Sequence, residues 1–224
     1  MKRFLLAGLL LFLPLAMHAF SLCNQWNVAT RVGPSFLTHN SSLNTVASDT
    51  IPGSGTTWGH IGPIFDAKVG YGLGNYFVLG VEADWEYHRF PNRAILDSFG
   101  DAFNFSGRFQ TATVLVFLEW RPIICYDFVP YISVAGGGNI NWVNNFPRNY
   151  INIFKAANTW GYKGAIGFDY QFACNVAFNL EAGWLYNRGT WRTGGFNGIG
   201  EQTTAIGTFN CDSASLLCGF RFYY

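Results

Sequence analysis

The sequence predicts an all-β fold, an eight-stranded antiparallel up-and-down barrel, and three observations lead to this prediction. First, the 224 residues are 50% hydrophobic and 18% aromatic but only 12% charged, against roughly 25% charged residues in an average soluble domain. Second, past residue 19 the chain has no run of about 20 apolar residues, the length that a spanning helix needs. Third, its apolar residues alternate with small or polar ones in segments that are joined by short and long connections in turn.

The N-terminal segment has the order of regions that is typical of a signal peptide. Lys2 and Arg3 precede an apolar run over residues 4–13, and Ala19 is a small residue at the expected cleavage position. A basic region, a short apolar region and a small residue are what export signals share. We therefore expect cleavage after Ala19 and export of the remaining chain.

Residues 20–224 are then expected to form a single barrel domain. Loss of Lys2 and Arg3 leaves 12 basic against 13 acidic residues. A protein that binds nucleic acid as its main activity needs a basic surface to neutralise phosphates. The charge balance therefore does not suggest nucleic acid as a partner.

The alternation is clearest over residues 77–88. The odd positions there are apolar and the even positions are mostly small or charged: Phe77, Leu79, Val81, Ala83, Trp85 and Tyr87 against Val78, Gly80, Glu82, Asp84, Glu86 and His88. A β-strand places alternate side chains on opposite faces. This segment is therefore predicted to be a strand with one apolar face and one polar face.

Seven further segments carry the same two-faced pattern with varying clarity: residues 25–36, 62–71, 106–120, 129–142, 158–172, 175–187 and 215–224. In the segment 106–120 the two faces are ambiguous. Arg108 and Gln110 suggest that even positions point inward, whereas Glu119 and Trp120 suggest the reverse. A β-bulge would reconcile the two halves, and the sequence leaves its position open.

The connections between the segments alternate in length. Short turns are expected near residues 72–75, 121–127 and 173–175. Long polar or Gly-rich loops are expected over residues 37–57, 91–105, 143–158 and 188–211. An even number of strands with short periplasmic turns and long extracellular loops is typical of outer-membrane barrels.

The size of the side chains indicates which face of the barrel is apolar. The interior of an eight-stranded barrel is only wide enough for side chains, which favours the face that is rich in Gly, Ala, Ser and Asn. The bulky aromatic residues are therefore predicted to face the bilayer and to form two interfacial belts: Trp26, Tyr71, Trp85, Tyr87, Trp142, Trp160, Tyr170, Trp184, Tyr186 and Tyr224. The alternatives are a secreted sandwich with an aromatic core and a soluble ligand-binding barrel.

Charged residues on the opposite face are predicted to line the lumen: Arg31, Asp66, Lys68, Glu82, Asp84, Glu86, Arg108, Lys163, Asp169, Glu181 and Arg221. Charges in a narrow interior must pair or attract water. Six acids against five bases favour a salt-bridged plug, with Lys68 and Arg108 as the expected partners of the acids at 82–86. A narrow ion path and a divalent-cation site are the alternatives.

The end of the chain supplies a resemblance to a known family. The terminal Phe220-Arg221-Phe222-Tyr223-Tyr224 and the Pro-Tyr, Gly-rich stretch over residues 129–138, together with the eight alternating segments, resemble the OmpA-like/opacity-protein family of small outer-membrane β-barrels. The resemblance implies a location in the bacterial outer membrane. It also implies that Phe220, Phe222 and Tyr224 are the assembly signal that the barrel-assembly machinery reads.

The five cysteines lie at distinct places in the predicted barrel. Cys23, Cys125 and Cys174 are expected at the periplasmic rim, where an oxidising compartment allows a disulfide among them. The odd number leaves at least one thiol free or bonded to another envelope protein. Cys211 precedes the last strand, and Cys218 within it is expected to face lipid.

The sequence favours a non-enzymatic outer-membrane protein with a structural role, whose loops meet a host or cell-surface ligand. A narrow-pore porin is the alternative from a different class. A lipid A-modifying enzyme is a remote third, suggested only by histidines and serines such as His39 and Ser41 in the first long loop. Neither a catalytic or metal site nor a cofactor is predicted, and outer-membrane lipid is the expected surrounding.

Overall fold

The computed structural model describes residues 24–38, 42–44, 56–57, 61–89, 93–96, 102–122, 127–146, 153–196 and 202–224. The predicted signal peptide, Cys23, His39, Ser41 and Cys125 lie outside these residues. Within the described residues, no helix is long and apolar enough to cross a membrane.

The described residues form thirteen β-strands: β1 (Trp26–Leu37), β2 (Ser42–Asn44), β3 (Thr56–Thr57), β4 (Ile61–Leu73), β5 (Phe77–Arg89), β6 (Arg93–Leu96), β7 (Ala102–Trp120), β8 (Phe128–Phe146), β9 (Ile153–Ala156), β10 (Thr159–Ala173), β11 (Val176–Phe196), β12 (Gln202–Asn210) and β13 (Ser213–Tyr223). Eight long strands close into a ring in the order β1-β4-β5-β7-β8-β10-β11-β13, and β13 pairs with β1. All these pairings are antiparallel. The predicted eight-stranded up-and-down barrel is thus confirmed.

Each of the eight predicted segments corresponds to one long strand of the barrel. The main difference lies in the predicted loops, into which β7, β8 and β11 extend. The strands β9, β11, β12, β2 and β3 pair in that order, and we call this arrangement the loop-side sheet. The sequence did not show it because these loop segments are polar and lack a regular alternation.

The two faces of the wall differ as the alternation predicts. Outward side chains are large, apolar and exposed, as Trp160 at 75% and Ile166 at 63% illustrate. Inward side chains are mostly polar or charged and buried, as Arg221 and Glu181 at 0% illustrate. A continuous exposed apolar wall around a polar interior is stable when a bilayer surrounds the barrel.

Strand β7 resolves the ambiguous segment and corrects one prediction. Its pairing with β5 runs from Arg108 to Trp120 without a shift, so no bulge interrupts this part of the strand. Odd-numbered side chains from Phe109 to Glu119 are buried, and Arg108 is exposed on the outer wall. The prediction that Arg108 lines the lumen is therefore wrong, because a strand with Glu119 inward and an unbroken period of two must turn position 108 outward.

The short connection between β4 and β5 has a local cause in the sequence. Gly74 has a φ of 69°, a left-handed conformation that glycine adopts without a steric penalty. The three residues from Gly74 to Tyr76 complete the turn. This turn and the one between β10 and β11 lie at the same end of the barrel as the start of β1 and the end of β13. We call this end the turn side and the opposite end the loop side.

Candidate functional site

The middle of the lumen contains the densest group of charges in the described structure. Seven buried side chains form it, and we call it the mid-lumen cluster: Arg31, Asp66, Lys68, Glu82, Asp84, Lys163 and Glu181. They come from β1, β4, β5, β10 and β11, five strands of the ring. The group therefore joins strands on opposite sides of the barrel.

Arg31 pairs with three of the four carboxylates of this cluster. Its Nε donates to Asp66 and its Nη1 donates to Glu181, while Nη2 lies 3.7 Å from Glu82 Oε1. Nη1 also lies 3.3 Å from Asn179 Oδ1. The planar guanidinium suits such branched pairing, since its five N–H donors point in fixed directions.

The two lysines pair with the same carboxylates from other directions. Lys68 Nζ lies 2.9 Å from Glu82 Oε2 and 2.8 Å from Glu181 Oε2, as the sequence predicted for Glu82. Lys163 reaches across the lumen and donates to Glu82, and its Nζ lies 3.2 Å from Asp84 Oδ2. The sequence predicted Arg108 as a second cation for the acids of β5. Lys163 and Arg31 take this role instead.

Oxygen atoms of Asp66, Glu82 and Asp84 lie within 4.8 Å of one another, a grouping that could in principle hold a cation. Lys163 Nζ already lies among these carboxylates and is 3.5 Å from Glu181 Oε1. The ammonium thus takes the place that a bound ion would occupy. The arrangement fits an internal ion-pair network better than a resident metal site.

A second group of ion pairs, the turn-side cluster, lies below the first. It consists of Glu119, Arg121, Asp169, Arg221 and Tyr223, all of them buried. Arg221 donates to Glu119 through Nη1 and Nη2, at 2.8 and 3.2 Å. Arg121 Nε donates to Glu119 Oε1 at 2.7 Å, and its Nη2 lies 2.9 Å from Asp169 Oδ2. Two acids and two bases balance here.

Tyr131 joins the two clusters. Its hydroxyl donates to Glu181 Oε2 at 3.0 Å and accepts from Asn179 Nδ2 at 2.9 Å. Its ring lies 5.5 Å from the Arg121 guanidinium and 5.1 Å from that of Arg221, distances at which cation–π attraction operates. One aromatic side chain therefore fills the space between two sets of buried charges.

The loop side of the lumen contains a layer of neutral polar side chains. A hydrogen-bonded layer of hydroxyls and amides spans it: Thr111, Thr113, Asn139, Asn141, Thr159 and Asn187. Thr111 Oγ1 donates to Asn141 Oδ1 at 2.9 Å, and Asn187 Nδ2 donates to the same oxygen at 2.8 Å. The packing of these groups closes the interior above the charged clusters.

Glu86, His88 and Ser213 lie together near this layer, but not in a catalytic order. Ser213 Oγ donates to Glu86 Oε1 at 3.0 Å, and His88 Nε2 lies 3.3 Å from Glu86 Oε2. A serine nucleophile needs a base at its hydroxyl, whereas here the carboxylate separates the serine from the histidine. All three side chains are also buried.

The structure places the predicted lumen residues as follows. Ten of the eleven face the interior and are buried: Arg31, Asp66, Lys68, Glu82, Asp84, Glu86, Lys163, Asp169, Glu181 and Arg221. Sequence reasoning missed Glu119 and Arg121. Had Trp120 been assigned to the outer wall, both neighbours would have been predicted to face the lumen. In the eight long strands and the adjoining Arg121, seven buried acids therefore face five buried lysines and arginines.

The predicted interfacial aromatics all lie on the outer wall. Trp26 and Tyr71 contact each other at the turn side, with ring centroids 5.1 Å apart. Trp85 and Tyr87 form a similar pair, 6.2 Å apart, near the loop side. The remaining members are exposed to varying degrees on the same wall: Trp142, Trp160, Tyr170, Trp184, Tyr186 and Tyr224.

The last strand, β13, and the residue that follows it carry the predicted assembly signal on one face. Phe220 and Tyr224 are exposed, and Phe222 between them is half-buried. The intervening Arg221 and Tyr223 face the lumen. The alternation that the sequence predicts for this strand is present, and the role of the three aromatics in assembly stays a prediction.

The described cysteines occupy three different surroundings. Cys174 has an exposed free thiol in the turn between β10 and β11, and Cys218 has an exposed one on the outer wall. Cys211 is buried at the loop side, and its burial raises the pKa of the thiol well above the usual range. Of the three cysteines at the turn side, only Cys174 lies within the described residues, and the disulfide among Cys23, Cys125 and Cys174 stays a prediction.

Known proteins resemble the chain in fold. No protein-family model matches it, and no curated protein matches it in sequence. The outer membrane protein OprG from Pseudomonas aeruginosa matches with a TM-score of 0.70 and 15% identity over 92% of this chain and 98% of that one. The outer membrane protease OmpT from Escherichia coli matches with a TM-score of 0.51 and 10% identity over 94% of this chain and 99% of that one.

These findings define the class of the protein. An eight-stranded closed barrel with an apolar exposed wall and a polar, filled interior is a membrane-spanning β-barrel. Its fold is that of the small bacterial outer-membrane barrels, as the structural likeness to OprG shows. The chain therefore has the fold of the outer-membrane β-barrels.

Proposed function

We propose that this chain is a non-enzymatic outer-membrane protein that stabilises the envelope and binds a partner at the cell surface through its loop-side sheet. The observation that carries the proposal is the filled lumen. The mid-lumen cluster, the turn-side cluster and the neutral loop-side layer occupy the interior from one end to the other. A barrel closed in this way offers its surfaces, and not its interior, for function.

The lengths of the strands support a role beyond the bilayer. A transmembrane strand needs about 9–11 residues, whereas β7 and β8 have 19 residues each and β11 has 21. The surplus extends past the membrane and pairs with β6, β9 and β12. Loops held on a rigid scaffold are a common place for binding residues.

A paired deletion tests this proposal. One variant removes residues 197–201, which connect β11 to β12. It also removes the adjoining ends of these two strands. A matched variant shortens only the turn-side connection over residues 123–126. Loss of attachment to host cells or extracellular matrix in the first variant alone is the expected result. Unchanged attachment and unchanged detergent sensitivity of cells with the loop-side deletion would contradict the proposal.

A narrow cation path is the second candidate function, and the excess of acid supports it. Seven buried carboxylates face five buried lysines and arginines, so any ion that enters the lumen meets a net negative charge. Planar-bilayer recording on the refolded protein distinguishes the two functions. Stable cation-selective steps that weaken in Glu82→Gln favour transport, and a silent bilayer favours the closed barrel.

Export and assembly belong to the same proposal. We expect removal of residues 1–19 and insertion through the barrel-assembly machinery. A disulfide between a free cysteine and another envelope protein is the alternative to an unpaired thiol. N-terminal sequencing of the protein from outer membranes tests the cleavage. Non-reducing and reducing gels test the cysteine partner, since an unchanged monomer band excludes an intermolecular disulfide.

A further inference from the structure

The mid-lumen cluster has one more acid than bases. Its acids are Asp66, Glu82, Asp84 and Glu181, and its bases are Arg31, Lys68 and Lys163, all of them buried. A buried charge without a counter-charge has a large desolvation penalty. The cluster therefore needs one further positive charge.

Two oxygen atoms of the cluster show where this charge is needed. Asp66 Oδ1 accepts from Arg31 Nε, and Asp84 Oδ2 accepts from Lys163 Nζ at 3.2 Å. The second oxygens of the two aspartates, Asp66 Oδ2 and Asp84 Oδ1, are buried and accept no hydrogen bond from any described residue. Lys163 Nζ lies 4.0 Å from Asp66 Oδ2, which is beyond the length of a hydrogen bond.

The two aspartates stand directly opposite each other in the pairing of β4 with β5. Their carboxyl groups lie within hydrogen-bonding reach of each other. Two ionised carboxylates offer only acceptors and repel each other, whereas a protonated carboxyl group donates to an ionised one. One proton between Asp66 and Asp84 therefore supplies both the missing positive charge and the missing donor.

The hydroxyl group nearest to this pair along the sheet does not take the place of the proton. Thr113 stands opposite Asp84 in the pairing of β5 with β7. Its hydroxyl donates to Asn139 Oδ1 at 2.9 Å and is thus not a donor to Asp84. The titratable side chains around the pair come from six strands: Arg31 on β1, Lys68 on β4, Glu82 on β5, Tyr131 on β8, Lys163 on β10 and Glu181 on β11.

The other two acids of the cluster have ammonium groups at both carboxylate oxygens or a guanidinium at one of them. Glu82 Oε1 pairs with Lys163, and Glu82 Oε2 lies 2.9 Å from Lys68 Nζ. Glu181 Oε2 pairs with Arg31 and Lys68, and Glu181 Oε1 lies 3.5 Å from Lys163 Nζ. Both glutamates are thus neutralised as carboxylates, which leaves the proton to the aspartate pair.

We propose that Asp66 and Asp84 share one proton at neutral pH and form a proton-binding site that completes the charge balance of the closed lumen. Two neighbouring carboxyl groups that hold a single proton titrate as a unit. Loss of this proton leaves the cluster with a net negative charge, and a cation from solution must then replace it. The site links the closure of the barrel to pH.

Proton uptake during folding tests this site. The full chain is refolded from urea into lipid vesicles at neutral pH, in weak buffer with a pH-indicator dye. Both aspartates are ionised in the unfolded chain at this pH, so the shared proton must come from solution. The wild type should take up about one proton per chain more than Asp84→Asn, because the asparagine amide donates to Asp66 without it.

Asp127→Asn, the same chemical change just before the start of β8, is the matched control and should keep the wild-type uptake. Heat-modifiable gel migration verifies that each variant is folded. Equal uptake by the wild type and Asp84→Asn overturns the proposal and indicates a metal cation as the counter-charge. An equal decrease in Asp127→Asn overturns it as well.

Infrared spectroscopy of the folded wild type tests the same site without relying on a variant. A protonated carboxyl group has its own C=O stretching band, which is expected at neutral pH and should be lost in Asp84→Asn. Absence of this band from the wild type overturns the proposal, and so does a band of full strength in folded Asp84→Asn. If Asp84→Asn does not fold, the wild-type spectrum decides.

Discussion

At the scale of single residues, the interior depends on charges that are buried but shared. Asp66 and Asp84 stand directly opposite each other in the pairing of β4 with β5, yet their environments differ. Asp66 pairs with Arg31, whereas Asp84 pairs with Lys163 at 3.2 Å, and Lys163 has other carboxylates within reach. Asp84 is thus the acid whose charge the cluster can best lose.

Neutralising these two acids is predicted to have unequal effects. Asp84→Asn removes one of four carboxylates that face three cations, and the stability should stay within about 1 kcal/mol of the wild type or rise. Asp66→Asn removes the carboxylate that pairs with Arg31 Nε, while Glu181 and Glu82 remain as partners, and it should cost about 1.5–3 kcal/mol. Urea unfolding in lipid vesicles, followed by tryptophan fluorescence, measures both. Equal losses in the two variants would contradict this assignment.

Two glycines of β10 make a second prediction about single residues. A Cβ at Gly167 would lie 2.6 Å from the Tyr131 ring and 2.5 Å from the Leu180 carbonyl oxygen, whereas a Cβ at Gly164 would meet nothing within 4 Å. Gly167→Ala should therefore destabilise the barrel by about 1–3 kcal/mol, as overpacking does. Gly164→Ala, three positions earlier, is the control and should cost nothing. The same unfolding assay distinguishes them.

At the scale of strands, the alternation was sufficient to predict the eight long elements and the face of almost every charge. Strand β7 was the exception because Phe109, Leu115 and Phe117 face inward, so both of its faces are largely apolar. Phe117 packs with Val78, Ala177 and Tyr223 in a small apolar core inside the lumen. A pattern that assumes a polar interior fails where the interior contains such a core.

The cluster geometry could not be read from the sequence for a related reason. A period of two predicts which residues face the lumen. It does not predict their partners, because pairs such as Lys163 with Glu82 join β10 to β5 across the barrel. Such contacts depend on the stagger of the strands, which is set by the whole ring. The strands of the loop-side sheet were missed because they lie in segments without alternation.

The cysteines near β13 and the β10–β11 turn give a prediction at the scale of elements. In a chain with Cys23 and Cys125 replaced by serine, a water-soluble maleimide should label Cys174 rapidly. Cys211 should stay unlabelled, because burial excludes the reagent and raises the thiol pKa well above the usual range. Cys218 should react with an apolar maleimide in preference to a charged one. Mass mapping of the labelled peptides measures the order, and rapid labelling of Cys211 would contradict it.

At the scale of the whole molecule, the lumen is a stack of three polar layers inside an apolar wall. The turn-side layer has equal numbers of acids and bases, the middle layer has one more acid than bases, and the buried Glu86 lies beside the neutral loop-side layer. Buried charges carry a large desolvation penalty unless they are paired. The network therefore closes the lumen, and this closure depends on the lysine and arginine side chains that reach across the interior.

Removal of the crossing lysine is predicted to open this closure. Lys163→Ala would leave four carboxylates, those of Asp66, Glu82, Asp84 and Glu181, around the space that the lysine side chain fills. Buried carboxylates that lose their cation need another one, so water and cations should enter this space. Planar-bilayer recording should show cation-selective steps in this variant and none in the wild type. Lys163→Met, which removes the charge but keeps most of the volume, should stay silent. Steps of equal size in both variants would locate the path elsewhere, and heat-modifiable migration verifies that each barrel is folded.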